Sequence, residues 1–133
     1  MTVVVDAGAA IEIALDKEFA SQFQEIIKEA DLVLAPDTFP AEVTNVFWKY
    51  AAFSGFPINK CQSGISFCLD LVDDYVSVRY LCHEVFSESF RSKHSAYDIF
   101  YLIVARRSDA SILTRDRGMS GTAMQLGVKV AAI

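Results

Sequence analysis

The chain opens with MTVVVD (residues 1–6), a β-branched apolar run that ends on an acid. Such a run is too short for a globular helix and suits a buried strand of a parallel sheet that delivers Asp6 at its C-terminal end. Working outward, residues 9–15 suit a helix, and residues 16–30 form a second helical segment with Phe19, Phe23, Ile26 and Ile27 at three-to-four spacing. Residues 32–35 read as a second strand stopped by Pro36. Asp37, Thr38 and Pro40 then carry the start signals of a helix with Glu42 in its first turn, whose stripe of Val43, Val46, Phe47, Tyr50 and Ala51 runs until Gly55 and Pro57 break it. Asn59 reads as the N-cap of a helix to about residue 73, with Ile65, Cys68, Leu69 and Val72 inward. The alternation over residues 75–79 predicts a third strand, and a helix over about 81–91 follows.

Ser95 offers a cap for the strongest helix, in which Asp98 sits in the first turn and Ile99, Leu102, Ile103 and Arg106 continue the pattern toward Arg107. Residues 110–114 form a fourth apolar run ahead of Asp116. Gly118 starts or interrupts a short helix to about Leu126, and residues 128–133 read as a fifth strand. This alternation predicts an α/β three-layer sandwich: a mainly parallel five-stranded sheet with right-handed crossovers, flanked by helices on both faces, as one domain over residues 1–133.

A chain of 133 residues, 53% hydrophobic and 22% charged, has the size and apolar share to close one core, which excludes a disordered chain. The longest unbroken apolar stretch, residues 99–105, is far short of a bilayer span, so no membrane segment is expected. No basic segment precedes an apolar one at the start, so the expected location is the cytoplasm. Cys61, Cys68 and Cys82 are odd in number and lack ligand spacing, which points to reduced thiols and away from a disulfide frame or a zinc site. A net charge of -5 argues against passive charge-driven binding of nucleic acid and leaves metal-dependent chemistry open.

Asp6 and Asp116 each follow an apolar strand, while Glu42 and Asp98 each open a helix after a polar turn. In a parallel α/β sheet, strand C-termini and the next helix N-termini share one edge, where such folds place their sites. The four acids are therefore expected to meet. Four carboxylates together repel and raise one another's pKa values unless a cation compensates them, and Mg²⁺ or Mn²⁺ is the hard ion suited to oxygen ligands and phosphate substrates. The alternative for each acid taken alone is a helix cap or a first-turn charge facing the helix dipole.

Taken together, VVVDAG (3–8), PAEVTNVFWKY (40–50), SAYDIFYLIVARR (95–107) and ILTRDRGM (112–119) resemble the PIN-domain ribonucleases, and within them the VapC-type toxins of toxin–antitoxin pairs. The resemblance covers nearly the whole chain and includes the order of the acids. It implies that Asp6, Glu42, Asp98 and Asp116 are metal-binding and catalytic acids, and that Thr114 supports the site. It also implies a Mg²⁺- or Mn²⁺-dependent endoribonuclease that leaves 5′-phosphate and 3′-hydroxyl ends. A homodimer and a cognate antitoxin that covers the acidic cleft belong to the same implication. The chain departs from the pattern at Gly8, where the family often carries Ser or Thr.

Arg91, Lys93, Arg106, Arg107, Arg115 and Arg117 cluster in the half of the chain that holds Asp98 and Asp116, and such residues make either a phosphate-binding rim or a solvated face with ion pairs. Arg115 and Arg117 are the preferred RNA contacts; their alternative is surface pairing with Asp116. Lys49, two turns beyond Glu42, can reach either a phosphate or Glu42 itself. His83 and His94 lack a nucleophile or metal-ligand partner at informative spacing and read as surface residues. Phe47, Trp48, Tyr50 and Phe53 form an aromatic group read as core or dimer packing in preference to base stacking, and Phe86 and Phe90 read likewise as core or interface. Two other functions compete. One is a non-catalytic PIN-like binding module; the other is a phosphoacceptor α/β domain, for which the supporting lysine and a DxD pair are missing.

Overall fold

A computed structural model describes residues 1–131 of the chain. Four strands form one parallel sheet: β1 (Thr2–Val5), β2 (Leu32–Pro36), β3 (Asp74–Val76) and β4 (Ser111–Leu113), in the order β3-β2-β1-β4. Val3, Val4 and Val5 are fully buried, as a strand covered on both faces requires. The helices are α1 (Ala7–Ala14), α2 (Ala20–Glu29), α3 (Phe39–Ser54), α4 (Ile58–Leu71), α5 (Cys82–Ser92), α6 (Ala96–Arg107) and α7 (Arg117–Gln125), with one 3₁₀ turn at Arg79–Leu81.

The strand order sets the layers. β1 to β2 to β3 steps in one direction and the chain then returns to the far side of β1 for β4. Right-handed crossovers therefore put α1 to α4 on one face and α5 and α6 on the other. Contacts follow that division: α1 packs on α2, α3 and α4, α5 packs on α6, and α6 crosses β1, β2 and β4. Leu102, Ile103, Val104 and Ala105 are buried in succession, so α6 is enclosed over a full turn and anchors its face of the core. On the other face α3 and α4 approach closely at Gly64, where a Cβ would lie 2.5 Å from Phe47 Cζ. Only glycine allows that contact without moving the ring.

The expected fifth strand is not formed among the described residues. Val130 makes a single parallel bridge to Ile112, with Ile112 N–H donating to Lys129 O and Ala131 N–H donating to Ile112 O, both at 2.8 Å. The sheet therefore has four strands. β4 is only three residues long, so Ile112 alone turns both backbone groups toward the returning chain; residues 132–133 of the expected strand lie outside the described residues. Three cap readings also change. Asn59 lies inside α4, whose N-cap is Pro57, and neither Thr38 nor Ser95 caps its helix through its side chain. Asp37 instead ties the β2 end to the loop after β3, accepting from Val78 N–H at 3.2 Å. The cysteines are free, Cys61 and Cys68 buried and Cys82 exposed, and burial pushes the Cys68 thiol up to about 12. Among the described residues, no helix is long and apolar enough to cross a membrane.

Candidate functional site

The direction of strand addition reverses at β1, which puts the crevice of a doubly wound sheet at the C-terminal ends of β1 and β4. The last residue pair of that ladder is Val5 with Leu113, and Asp6 N–H donates to Leu113 O at 3.2 Å. Asp6 and Thr114 are thereby fixed side by side. An open cleft of about 380 Å³ lies here, lined by Asp6, Gly8, Asp98, Arg115 and Asp116.

Asp6 is the buried member of the group. It ends β1 and caps α1, its Oδ1 accepting from Ala9 N–H at 2.8 Å. Burial drives its pKa from 3.8 up to about 6; the Thr114 hydroxyl and the Ala9 N–H pull the other way, and Asp98 and Asp116 add repulsion. Asp116 ends the loop after β4 and caps α7, its Oδ1 accepting from Gly118 N–H at 2.8 Å and Met119 N–H at 3.4 Å. Thr114 Oγ1 accepts from Asp116 N–H at 3.0 Å, so the buried threonine contacts both acids at once. Asp98, in the first turn of α6, accepts from the His94 imidazole at 2.8 Å.

Glu42 is outside the lining of this cleft. It projects from the first turn of α3 and accepts from the Tyr101 hydroxyl at 2.5 Å. Its pKa is raised, first by burial and then by Asp98, against the lowering effect of the tyrosine bond. Burial and the charges of Glu42, Asp6 and Asp98 hold the Tyr101 hydroxyl firmly protonated. Three of the four acids thus line one cleft, and the fourth, held by Tyr101, lies near enough for the Asp98 charge to act on it. Tyr101 was not singled out in the sequence. Its only local sign is its place three residues after Asp98, on the same helical face.

Of the two arrangements open to the basic residues, the ion-paired face is the one that Arg91, Arg106 and Arg107 adopt. Arg106 and Arg107 bind Glu84, and Arg106 and Arg91 bind Glu88, all on the α5–α6 surface. Arg115 lines the cleft, but its Nη1 lies 2.9 Å from Glu12 Oε1 and its guanidinium stands over the Phe19 ring. Glu12 is itself buried, its other oxygen accepting from Phe19 N–H at 2.9 Å, so this pair clamps the β4–α7 loop to α1. Arg117 and Lys49 are exposed and make no ion pair among the described residues, and neither Arg115 nor Arg117 pairs with Asp116. A second groove of about 630 Å³ continues past the cleft along Thr114, Arg115, Arg117, Ser120 and Phe19. His83 is exposed as expected, whereas His94 is not a free surface residue: it is half-enclosed between Asp98 and Thr122.

The donor set suits a hard divalent ion in kind. All its ligand atoms are oxygens, and Asp98 Oδ1, Asp116 Oδ2 and Glu42 Oε1 have no hydrogen bond among the described residues. No Lys or Arg compensates Asp6, Asp98 or Asp116 among those residues. No three acid, histidine or cysteine side chains among them converge on one ion position, because Asp6 and Asp116 are drawn toward the helices they cap, Glu42 toward Tyr101 and Asp98 toward His94.

No family model and no curated protein matches the sequence. Among solved structures, the chain is similar to "Crystal structure of PAE2754 from Pyrobaculum aerophilum", with a TM-score of 0.71 and 20% sequence identity over 92% of this chain and 79% of that one. At that identity the likeness shows the fold.

Proposed function

We propose that the chain is a Mg²⁺- or Mn²⁺-dependent endoribonuclease of the PIN-like kind and serves as the toxin of a toxin–antitoxin pair. The observation that carries this reading is the meeting of Asp6, Asp98 and Asp116 in one open cleft at the strand-order reversal, with no lysine or arginine paired to them among the described residues. Carboxylates gathered without a counter-charge destabilise a fold, and a bound divalent cation is the economical compensation. The chemistry such an ion supplies is polarisation of a phosphodiester and activation of water.

The protein's own residues prepare that chemistry. The Ala9 N–H and Thr114 orient Asp6, Tyr101 orients Glu42, and the α7 N-terminus orients Asp116. Asp6, Asp98, Asp116 and Glu42 would hold the ion. Arg117, unpaired beside the second groove, is the side chain best placed to receive an RNA phosphate, with Lys49 as a further exposed cation. Arg115 acts mainly as a wall of the site, since it is already bound to Glu12. The exposed aromatics Trp48, Phe53, Phe86 and Phe90 support protein partners, for which a second copy of the chain and an antitoxin are the proposed occupants.

A non-catalytic binding module is the second reading, favoured by the absence of three converging ligands among the described residues. Thermal unfolding with and without millimolar Mn²⁺, for the wild type and Asp6→Asn, separates the two. The nuclease reading expects a Mn²⁺-dependent rise in Tm and Mn²⁺-dependent shortening of RNA, both lost in Asp6→Asn. No rise in either protein supports the binding module, and cleavage retained by folded Asp6→Asn removes the proposed mechanism.

A further inference from the structure

We propose that His94 is a positioning residue that locks the Asp98 carboxylate to α7, the helix capped by Asp116, so that the two acids are held as one unit. This rests on the reading of the cleft as a metal-dependent site. His94 lies in the short link between α5 and α6, just after Lys93, whose φ of 56° puts a non-glycine residue in the left-handed region. That turn carries the imidazole back over the first turn of α6. Nε2 lies 2.8 Å from Asp98 Oδ2, and Nδ1 lies 2.8 Å from Thr122 Oγ1 on α7. The ring is only 16% exposed.

The proton count fixes the direction of the contact. An ionised carboxylate only accepts, so Nε2–H donates to Asp98. Thr122 Oγ1 also lies 3.1 Å from Gly118 O, and its single proton goes either to that carbonyl or to Nδ1. Both arrangements preserve the donation to Asp98. Gly118 N–H in turn donates to Asp116 Oδ1 at 2.8 Å. Contacts therefore run Asp98, His94, Thr122, Gly118, Asp116, with the Thr122 hydroxyl donating at one of its two contacts at a time while the ring is neutral. It engages one oxygen of Asp98 and leaves Oδ1 without a protein hydrogen bond among the described residues. A side chain that orients a ligand in this way commonly changes metal affinity or activity by about 10- to 100-fold when it is removed.

Two replacements distinguish positioning from mere packing. The amide of His94→Gln reaches where Nε2 stands and keeps the donor to Asp98; the amide of His94→Asn reaches only as far as Nδ1 and keeps the Thr122 contact. Positioning predicts that the Mn²⁺ concentration giving half the thermal shift rises about 10-fold or more in His94→Asn and His94→Ala and stays near wild type in His94→Gln. Where the wild type responds to Mn²⁺, equal Mn²⁺ responses for His94→Gln and His94→Asn overturn the proposal. A metal-free arm reads the same lock: the Gly118 and Met119 amides, which donate to Asp116, should exchange about 10-fold faster with solvent in His94→Ala than in the wild type. Unchanged exchange there also overturns it. If wild-type protein shows no Mn²⁺ response while the exchange quickens, the positioning inference stands and the nuclease reading falls.

Discussion

On the α5–α6 surface, Glu84 and Glu88 are met by Arg91, Arg106 and Arg107; at the C-terminal ends of β1 and β4, Asp6, Asp98 and Asp116 share a cleft with no such partners among the described residues. The electrostatic results are opposite. Glu84 is held below the usual carboxylate range, chiefly by the Arg106 hydrogen bond, whereas burial lifts Asp6 to about 6. A net charge of -5 describes neither region, because Arg91, Arg106 and Arg107 are engaged on one surface while no lysine or arginine pairs with the acids of the cleft among the described residues. Paired carboxylates fasten two helices together. Unpaired ones are held in place by backbone N–H groups, a threonine, a histidine and a tyrosine.

The largest test of this contrast is the pH dependence carried by Asp6. Its folded-state pKa near 6 stands above the 3.8 of an unperturbed carboxyl, so the native state holds the proton more tightly than the unfolded chain. Stability therefore falls as pH rises from about 3.8 to about 6 and stays at the lower level above that window. The shift corresponds to about 3 kcal/mol. Asp6→Asn keeps an acceptor for the Ala9 N–H and removes the charge, so urea unfolding without metal should show a gain approaching that size at pH 7 and little gain at pH 3.5. A gain equal at both pH values would mean that the charge of Asp6 is not what the cleft pays for.

A smaller effect is expected from the paired surface. Arg106→Met leaves buried Glu88 with Arg91 alone and Glu84 with Arg107 alone, which should cost about 2 kcal/mol, less than a fully buried pair because Arg106 is a third exposed. Thermal unfolding measures the loss, and the Mn²⁺ increment in Tm should match that of the wild type. A reduced increment would show that the two regions are coupled through α6 and would break the separation drawn between them.

What the sequence disclosed of these regions depended on distance along the chain. β1 and α6 were legible because a β-branched run and a three-to-four apolar period are local signals, and the acids could be placed at strand and helix ends for the same reason. The Tyr101 bond to Glu42 spans 59 residues and the Arg115 bond to Glu12 spans 103, and no local pattern announces either. His94 and Asp98 stand four residues apart, a spacing that helical geometry makes meaningful, yet the histidine lies just outside the helix and its second partner, Thr122, is 28 residues away. The run at 128–133 has a strand's composition, but against a three-residue β4 its described residues, 128–131, make one bridge. Composition records apolarity; pairing needs a neighbour of matching length.

Asp116 offers the finest division of the cleft, since its one side chain performs two tasks. As a cap it accepts from Gly118 and Met119 N–H; as a charge it repels Asp6. Asp116→Ala removes both and should cost about 1 kcal/mol for the cap, less whatever repulsion it relieves. Asp116→Ser keeps an oxygen for the cap and removes only the carboxylate, so its stability should lie within a few tenths of a kcal/mol of the wild type while its Mn²⁺ increment shrinks. Urea unfolding of both variants, each with and without Mn²⁺, separates the tasks. If Asp116→Ser proves more stable than the wild type without metal, repulsion among the acids outweighs any advantage the carboxylate has over serine as a cap. If it proves as unstable as Asp116→Ala, the carboxylate is retained for holding α7 in place, and Asp116 belongs with the structural acids of the α5–α6 surface.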